Sequence, residues 1–297
     1  MNNSMPVKGL TMTIIFEAES ANYGESVGNI AALKKMSRDK GEQYTYISRQ
    51  ALTYNMVEQL GEPLASVNTE SKKEKGVIQY DKECTVADYP ELDFFGYLKT
   101  QKDSNGLKRS AKVRVSNAIS LESYKGDLDF LTNKGLADRI GNTMNIAQAE
   151  IHHSLYKYTV VMDLDQIGYD DADSENIIDI GSAEKSRRVQ KLLETISMLY
   201  RDIRGRREDL KPVFVVGGLY DIKNPFFHNI VNVKDNILDV DQIKEGLFDT
   251  IKEDTHVGFF NGKFENSEEI RLELGGISVP EFFKILKEQV KVYYEGN

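Results

Sequence analysis

Six periodic segments follow one another along this chain in the order strand, helix, strand, strand, helix, strand. In residues 9–18 (GLTMTIIFEA), Leu10, Met12, Ile14, Phe16 and Ala18 alternate with Thr11, Thr13, Ile15 and Glu17. A period of two with β-branched content specifies a strand. Residues 47–60 (ISRQALTYNMVEQL) read as a helix whose buried stripe holds Ile47, Ala51, Tyr54 and Leu60, joined by Leu52 and Met56. Ser48 stands at the N-cap and Gly61 at the C-terminal glycine position. Residues 109–119 (RSAKVRVSNAI) alternate again, with Ala111, Val113 and Val115 opposite Lys112, Arg114 and Ser116, a strand with one basic face. Residues 151–164 (IHHSLYKYTVVMDL) read as a long strand. Residues 182–204 read as the second helix, with Val189, Leu192, Leu193, Ile196, Leu199, Tyr200 and Ile203 at helical spacing and Arg201, Arg204, Arg206 and Arg207 at its end. Pro212 then leads into the strand Val213–Tyr220, broken by Gly217 and Gly218. This is the order of an α+β, ferredoxin-like or RRM-like domain, an antiparallel sheet carrying two helices. RNA recognition is one use of that fold among many unrelated ones.

Two long insertions and a C-terminal extension interrupt the order. Residues 30–42, with Lys34, Lys35, Arg38 and Lys40, are expected to be a mobile basic stretch or a short helix. Residues 62–107 read as irregular, with one apolar island at Leu92–Leu98 (LDFFGYL). Residues 120–150, which contain Gly126, Gly135 and Gly141, read as a protruding segment. Asp241–Lys252 and Pro280–Tyr294 are two further amphipathic helices. At 297 residues the chain fits about two domains, or one domain with long insertions.

A net charge of −9, taken alone, argues against a nucleic-acid partner. Its distribution argues otherwise. Residues 98–125 hold seven Lys or Arg against two acids, while residues 163–184 hold eight Asp or Glu and no Lys or Arg. Such a chain can present one basic face and stay acidic overall, although two solvated faces of opposite sign explain the numbers equally well. No run of about 18 apolar residues is present, so a membrane span is not expected. The first residues lack the basic and apolar regions of a secretory signal. Cys84, the single cysteine, leaves no intrachain disulfide and no cysteine-built metal site. A cytoplasmic location is expected.

Catalytic patterns are lacking. His152 and His153 are consecutive in the expected strand, so they point to opposite faces and cannot both ligate one metal. There is no phosphate-binding Walker loop, dinucleotide fingerprint, zinc-protease helix or nucleophile elbow. Asp163, Asp165, Asp170, Asp171 and Asp173 do not follow the spacing of a calcium loop, and an acidic solvated loop is the better reading. No catalysis, metal or cofactor is therefore expected. RNA binding calls for cations to meet phosphates and planar groups to stack. Phe94, Phe95, Gly96, Tyr97, Leu98 and Lys99 offer aromatics, a glycine and a cation, although FFGYL alone is more often core. Arg109, Lys112 and Arg114 offer a basic strand face. Arg49 and Gln50 sit in a helical first turn, where free amides and the dipole favour an anion.

These residues also carry a resemblance. GLTMTIIFEAESANYGESVGNIAALKK followed by YTYISRQALTYN, then LDFFGYL, SNAISLESYKGDLDFLTNK and HHSLYKYTVVMDLDQIG, resemble in order the backbone subunit of type I-B CRISPR effector complexes, the DevR/Cst branch of the RAMP superfamily. The resemblance spans about residues 8 to 220. It implies one hand-shaped domain that polymerises along CRISPR RNA beside other Cascade subunits, contacting target DNA through the guide and performing no catalysis. The palm would be about 8–61, 109–118 and 153–297, the fingers about 62–108 and the thumb about 119–152. The Ile-Ser-x-Gln-x-Leu helix start, here Ser48, Arg49 and Gln50, would hold the guide backbone. Where the branch often has a cation three residues after the Gln, this chain has Thr53. Gly96 and Leu98 would lie beside the guide near a displaced base, and Phe130 with Leu131 would form the thumb's wedge. With the flanking residues the expected RNA set is Lys34, Lys35, Ser48, Arg49, Gln50, Gly96, Tyr97, Leu98, Lys99, Arg109, Lys112, Arg114, His152 and His153, the two histidines balanced between contact and packing. Two alternatives stand beside this one. One is a type III relative that cuts target RNA with Asp127 or Asp129; the other is a ferredoxin-like interaction module without nucleic acid.

Overall fold

The computed structural model describes residues 6–296 apart from 39, 70–77 and 102–103. Its centre is the strand Gly9–Ala18, which runs antiparallel to Ser154–Asp163 on one side and to Phe214–Tyr220 on the other. Beyond Ser154–Asp163 lie Val113–Val115 and Ala118–Ser120, also antiparallel. Numbered by the expected β-α-β-β-α-β segments, the order is fourth, first, third, second, which is that of a ferredoxin-like sheet. The sheet then grows at both edges. Glu42–Ile47 and Lys35–Arg38 extend it past the second strand, and Thr255–Phe259 and Ile277–Ser278 past the fourth.

The alternation in residues 9–18 sorts its side chains between two cores. Leu10, Met12, Ile14 and Phe16 pack on one face with Leu52 and Met56 of the helix Arg49–Leu60. The helix Ser182–Ser197 adds Val189, Leu192, Leu193 and Ile196, and Val279–Glu295 adds Phe282, Leu286 and Val290. Each such fully buried side chain contributes roughly 1.5–3 kcal/mol of transfer free energy. On the other face Ile15, Phe214 and Val216 lie beneath Phe227, Val231, Ile243, Phe264 and Ile270 of the C-terminal region.

That second face is capped over only part of its width. One register row crosses six strands in the order Tyr46, Ile119, Lys157, Ile15, Phe214, Phe259. Ile15 and Phe214 are 0% exposed and Phe259 4%, whereas Tyr46, Ile119 and Lys157 are only half-buried. The C-terminal cap thus ends at Lys157.

Several elements differ from the sequence reading. The described residues of 30–42 are not helical: Ile30–Leu33 and Lys35–Arg38 are strands, formed by pairing with other segments rather than by local pattern. Tyr54 is 64% exposed and does not share the buried stripe of its helix. The described residues of 62–107 include the paired strands Val67–Thr69/Ile78–Tyr80 and Tyr97–Gln101/Ser104–Arg109, with the helix Pro90–Phe95 between them. The expected strand over 109–119 is interrupted at Ser116 and Asn117, where Ser116 N–H donates to Thr159 and Asn117 turns to the helix start. Arg109 belongs to the hairpin before it.

The second helix stops at Ser197. Tyr200–Ile203 and Arg206–Asp209 form a hairpin whose two-residue turn, Arg204 and Gly205, takes positive φ at both positions. The four arginines therefore sit on this hairpin rather than on a helix end. The long strand begins at Ser154, so His152 and His153 lie between strands rather than within one. The helix over 241–252 is shorter, Val240–Glu245, and ends at Gly246.

Residues 120–150 do protrude, as the hairpin Asp127–Thr132/Ile146–Ile151 with short helical turns at its tip. A second hairpin, Tyr23–Val27/Ile30–Leu33, adds to its side and makes a four-stranded sheet. Glu150 anchors the base, accepting from Leu33 N–H and from Lys35 Nζ at 2.7 Å. No helix among the described residues is long and apolar enough to cross a membrane.

Candidate nucleic-acid interface

The Arg49 helix begins where three distant segments meet. Ser48 caps it, its Oγ accepting from Ala51 N–H at 3.3 Å. Asn22 Oδ1 accepts from Ser48 N–H at 2.8 Å, and Asn117 Oδ1 accepts from Arg49 N–H at 2.9 Å. Among the described residues the Gln50 amide has no acceptor, so it remains available to an anion. Around this start is a cleft of about 410 Å³ lined by Lys34, Tyr46, Ser48, Arg49, Gln50, Val115, Ser116 and Asn117. Among the described residues neither Lys34 nor Arg49 has a carboxylate within ion-pair distance.

The cleft opens onto the uncapped part of the sheet. Tyr44 and Tyr46, two residues apart on one strand, share its second face. Met36 lies opposite Tyr44, and Arg38 stacks its guanidinium 5.1 Å from the Tyr44 ring centre. Cations that have no ion pair among the described residues, half-buried phenol rings and a helix start lie on neighbouring strands here, the combination a sugar–phosphate chain with exposed bases requires.

Four of the expected residues, Lys34, Ser48, Arg49 and Gln50, are brought together here. Others are not. Arg109 is buried, its guanidinium 2.7 Å from Asp93 and 3.7 Å from Asp170, so it ties segments together rather than facing solvent. Lys99 is 4% exposed and donates to the Cys84 carbonyl. Tyr97 donates to Asp170 at 2.8 Å. Gly96 has a packing reason: at φ 76°, a Cβ would collide with the Arg109 carbonyl and lie 2.8 Å from Ala111 N. Of that motif Leu98 alone is well exposed, at 57%. Lys35 is bound to Glu150.

His152 is a packing residue. It is 5% exposed, its Nδ1 lies 2.7 Å from Thr45 Oγ1, and burial pushes its imidazole below the usual range. His153 is exposed and pairs with Glu17. Arg114 is half-exposed and held by Asp163 at 2.8 Å, and Lys112 lies beside it with burial pushing its ammonium down. Thr53 donates back to the Arg49 carbonyl at 3.0 Å, a side chain that cannot replace a cation. Phe130 and Leu131 are exposed on the protruding hairpin, on opposite faces of it.

Two ion pairs tie the two charge-segregated segments together, so they are not wholly separate solvated faces. Asp163 and Asp170 are buried against Arg114 and Arg109, and Asp165 meets Lys223, so the acidic run is partly interior. Among the described residues no three His, Cys, Asp or Glu side chains gather as metal ligands would. Tyr44, Tyr46, Arg38 and Asn117 were absent from the expected set. The alternating YTYI before the helix cap was the available signal for the first two.

A family model described as "CRISPR-associated negative auto-regulator DevR/Csa2" matches residues 10–241. Among curated proteins no sequence match is found. Solved structures match over nearly the whole chain. A chain of a structure described as "CRISPR RNA-guided surveillance complex, pre-nicking" is 10% identical, covers 95% of this chain and 100% of its own, and gives a TM-score of 0.61. A chain of a "CRISPR RNA-guided surveillance complex" is 12% identical, with 95% and 99% covered and a TM-score of 0.56. At these identities the likeness is one of fold.

Proposed function

This chain belongs to the DevR/Csa2 family of CRISPR-associated proteins, and from that premise we propose that it is a backbone subunit of a type I-B effector complex, binding CRISPR RNA along the open part of its sheet. The observation that carries this reading is the cleft in which Lys34, Arg49, the Gln50 amide and Tyr46 converge with, among the described residues, no neutralising carboxylate. A groove of that kind binds a guide through its phosphates and shape and leaves sequence to base pairing. It also reconciles RNA binding with a net charge of −9, since the contact surface is small and among the described residues no acid lines the cleft.

In this reading the central sheet with its helices and C-terminal cap is a palm, residues 62–108 are fingers and the Asp127–Ile151 hairpin is a thumb. The thumb's exposed Phe130 or Leu131 separates a base from its neighbours at each repeat, and copies assemble side by side along one guide. The subunit holds RNA and does not cut it; target DNA reaches it through the guide, and it works in the cytoplasm.

The test is co-expression with a CRISPR array and the other subunits, followed by sizing and the ratio of nucleic-acid to protein absorbance before and after ribonuclease. A large RNA-containing species that shrinks on treatment supports the reading. An assembly that forms without RNA contradicts it. Metal-dependent cutting of target RNA at fixed intervals, lost on substitution of Asp127 or Asp129, would instead favour a type III activity.

A further inference from the structure

Lys157 stands at the seam where the open part of the second face meets the C-terminal cap. It lies opposite Ile119 on one side and Ile15 on the other, in the same row as Tyr46. Its Nζ donates to the Val231 carbonyl at 2.7 Å. An ammonium carries three donors, so this leaves further hydrogen-bonding capacity. Three other enclosed lysines face an acid, Lys35 with Glu150, Lys185 with Asp179 and Lys223 with Asp165, while Lys99 is closed off from solvent and donates to the Cys84 carbonyl. Among the described residues Lys157 has no carboxylate within ion-pair distance.

Among the described residues the charge acting on Lys157 has its own sign. Arg38, from the outermost strand, repels it, and Lys157 in turn disfavours a proton on His228, from the turn at the cap's rim. His228 is fixed by Thr159, two residues further along the same face, with Nδ1 at 2.9 Å from its hydroxyl; that hydroxyl also meets Thr13 Oγ1 at 2.8 Å. Among the described residues the acids along this edge include Glu122, whose carboxylate accepts from Leu155 N–H at 3.1 Å, and Glu42, opposite Arg38 in register, whose carboxylate accepts from the Tyr44 hydroxyl at 3.4 Å. Burying an ammonium beside a guanidinium is costly unless something supplies the opposite charge.

We propose that Lys157, with Arg38 and His228 beside it, forms an anion subsite that takes one backbone phosphate of RNA as the strand passes from the Lys34–Arg49 cleft to the rim of the cap. This deepens the proposed function and rests on it. Ser116 links the two places, since it lines the cleft and exchanges hydrogen bonds with Thr159 beside Lys157. Burial, reinforced by Arg38, pushes the free Lys157 ammonium down to about 8. A phosphate would restore it upward. Binding therefore takes up a proton above that value, and affinity is full below about pH 8 and falls as pH rises through it.

The test measures binding of labelled guide RNA to the full chain, with the other subunits present, from pH 7 to 9.5 at several salt concentrations. Wild type, Lys157→Met, Lys157→Arg and Arg49→Ala are compared, each checked by thermal melting. Wild-type affinity should fall across that range. Lys157→Met should bind roughly tenfold more weakly at pH 7, with a log–log salt slope smaller by about one. Lys157→Arg should keep affinity and lose the dependence on pH, because a guanidinium stays charged. Amine labelling of wild type should find Lys157 reactive alone and protected by guide. If Arg49→Ala weakens binding while Lys157→Met matches wild type in affinity, slope and pH profile, the subsite is wrong and the interface stands. If guide leaves Lys157 labelling unchanged, the subsite is also wrong. If wild type binds no RNA, both readings fall together.

Discussion

The side-chain carbonyl of Asn117 accepts the backbone N–H of Arg49 at 2.9 Å across a separation of 68 residues. This bond fixes the helix start against the interruption in the second strand, and so sets where Arg49 and the Gln50 amide point. Asn117→Ala should lower stability by about 0.5–1.5 kcal/mol, the net worth of one hydrogen bond, and weaken guide binding several-fold. Asn117→Asp keeps the acceptor but adds a negative charge beside the expected phosphate. It should melt near wild type and bind RNA less well than Asn117→Ala. Equal binding by the two variants would count against a phosphate at this position.

Arg49 and Lys34 should behave as phosphate contacts. Alanine at either position should weaken all guides about equally and reduce the salt slope by about one, with stability changed by no more than about 0.5 kcal/mol. A loss that depends on guide sequence would argue for base reading instead.

Arg109 should behave in the opposite way. Its removal leaves Asp93, which is 0% exposed, with Arg188 as its remaining guanidinium. Breaking a buried pair costs about 3–5 kcal/mol, so Arg109→Ala should shift chemical denaturation strongly whether or not RNA is present. A variant that melts normally and loses only guide affinity would overturn its structural assignment.

His152 predicts a direction for acid sensitivity. Burial holds its imidazole below the usual value of 6.5 in the folded chain, and His228 and His256 are displaced in the same direction. The unfolded chain therefore binds more protons as pH falls through about 6.5. Stability contributed by the neutral imidazoles is present above that pH and is lost below it. Urea denaturation at pH 7.5 and 5.5 should show the drop, and His152→Gln should make it smaller. An unchanged difference between the two pH values would exclude His152 as a contributor.

Phe130 lies opposite Gln148 and Leu131 opposite Ala147 on the protruding hairpin, so the two side chains leave opposite faces. A single duplex step can meet one of them. Phe130→Ala and Leu131→Ala should both leave the melting temperature nearly unchanged, and one alone should disturb the periodic nuclease sensitivity of guide-paired target DNA. Equal effects from both would contradict a single wedge.

The sheet order was legible because Leu10 to Ala18 and Val113 to Val115 alternate cleanly and Ser48 and Gly61 bracket a helix. The helix start at Ser48, Arg49 and Gln50 was legible because a cap residue carries a local physical signal. Arg109 and Lys99 were misread because a cation's sequence gives its charge and not its partner: Asp93, Asp170 and the Cys84 carbonyl come from other segments. The strands at 30–38 escaped notice because pairing with other strands, rather than periodicity, forms them. Tyr44 and Tyr46 were hidden beside the stronger helix signal that follows them.

Photo-crosslinking of guide RNA in the purified complex, with peptides located by mass spectrometry, tests the central claim most directly. Crosslinks should concentrate at Tyr44, Tyr46 and the segment from Lys34 to Gln50. Crosslinks confined to the opposite side of the sheet, at Tyr54 and Tyr200 beside the packed helices, would contradict the proposed path of the RNA.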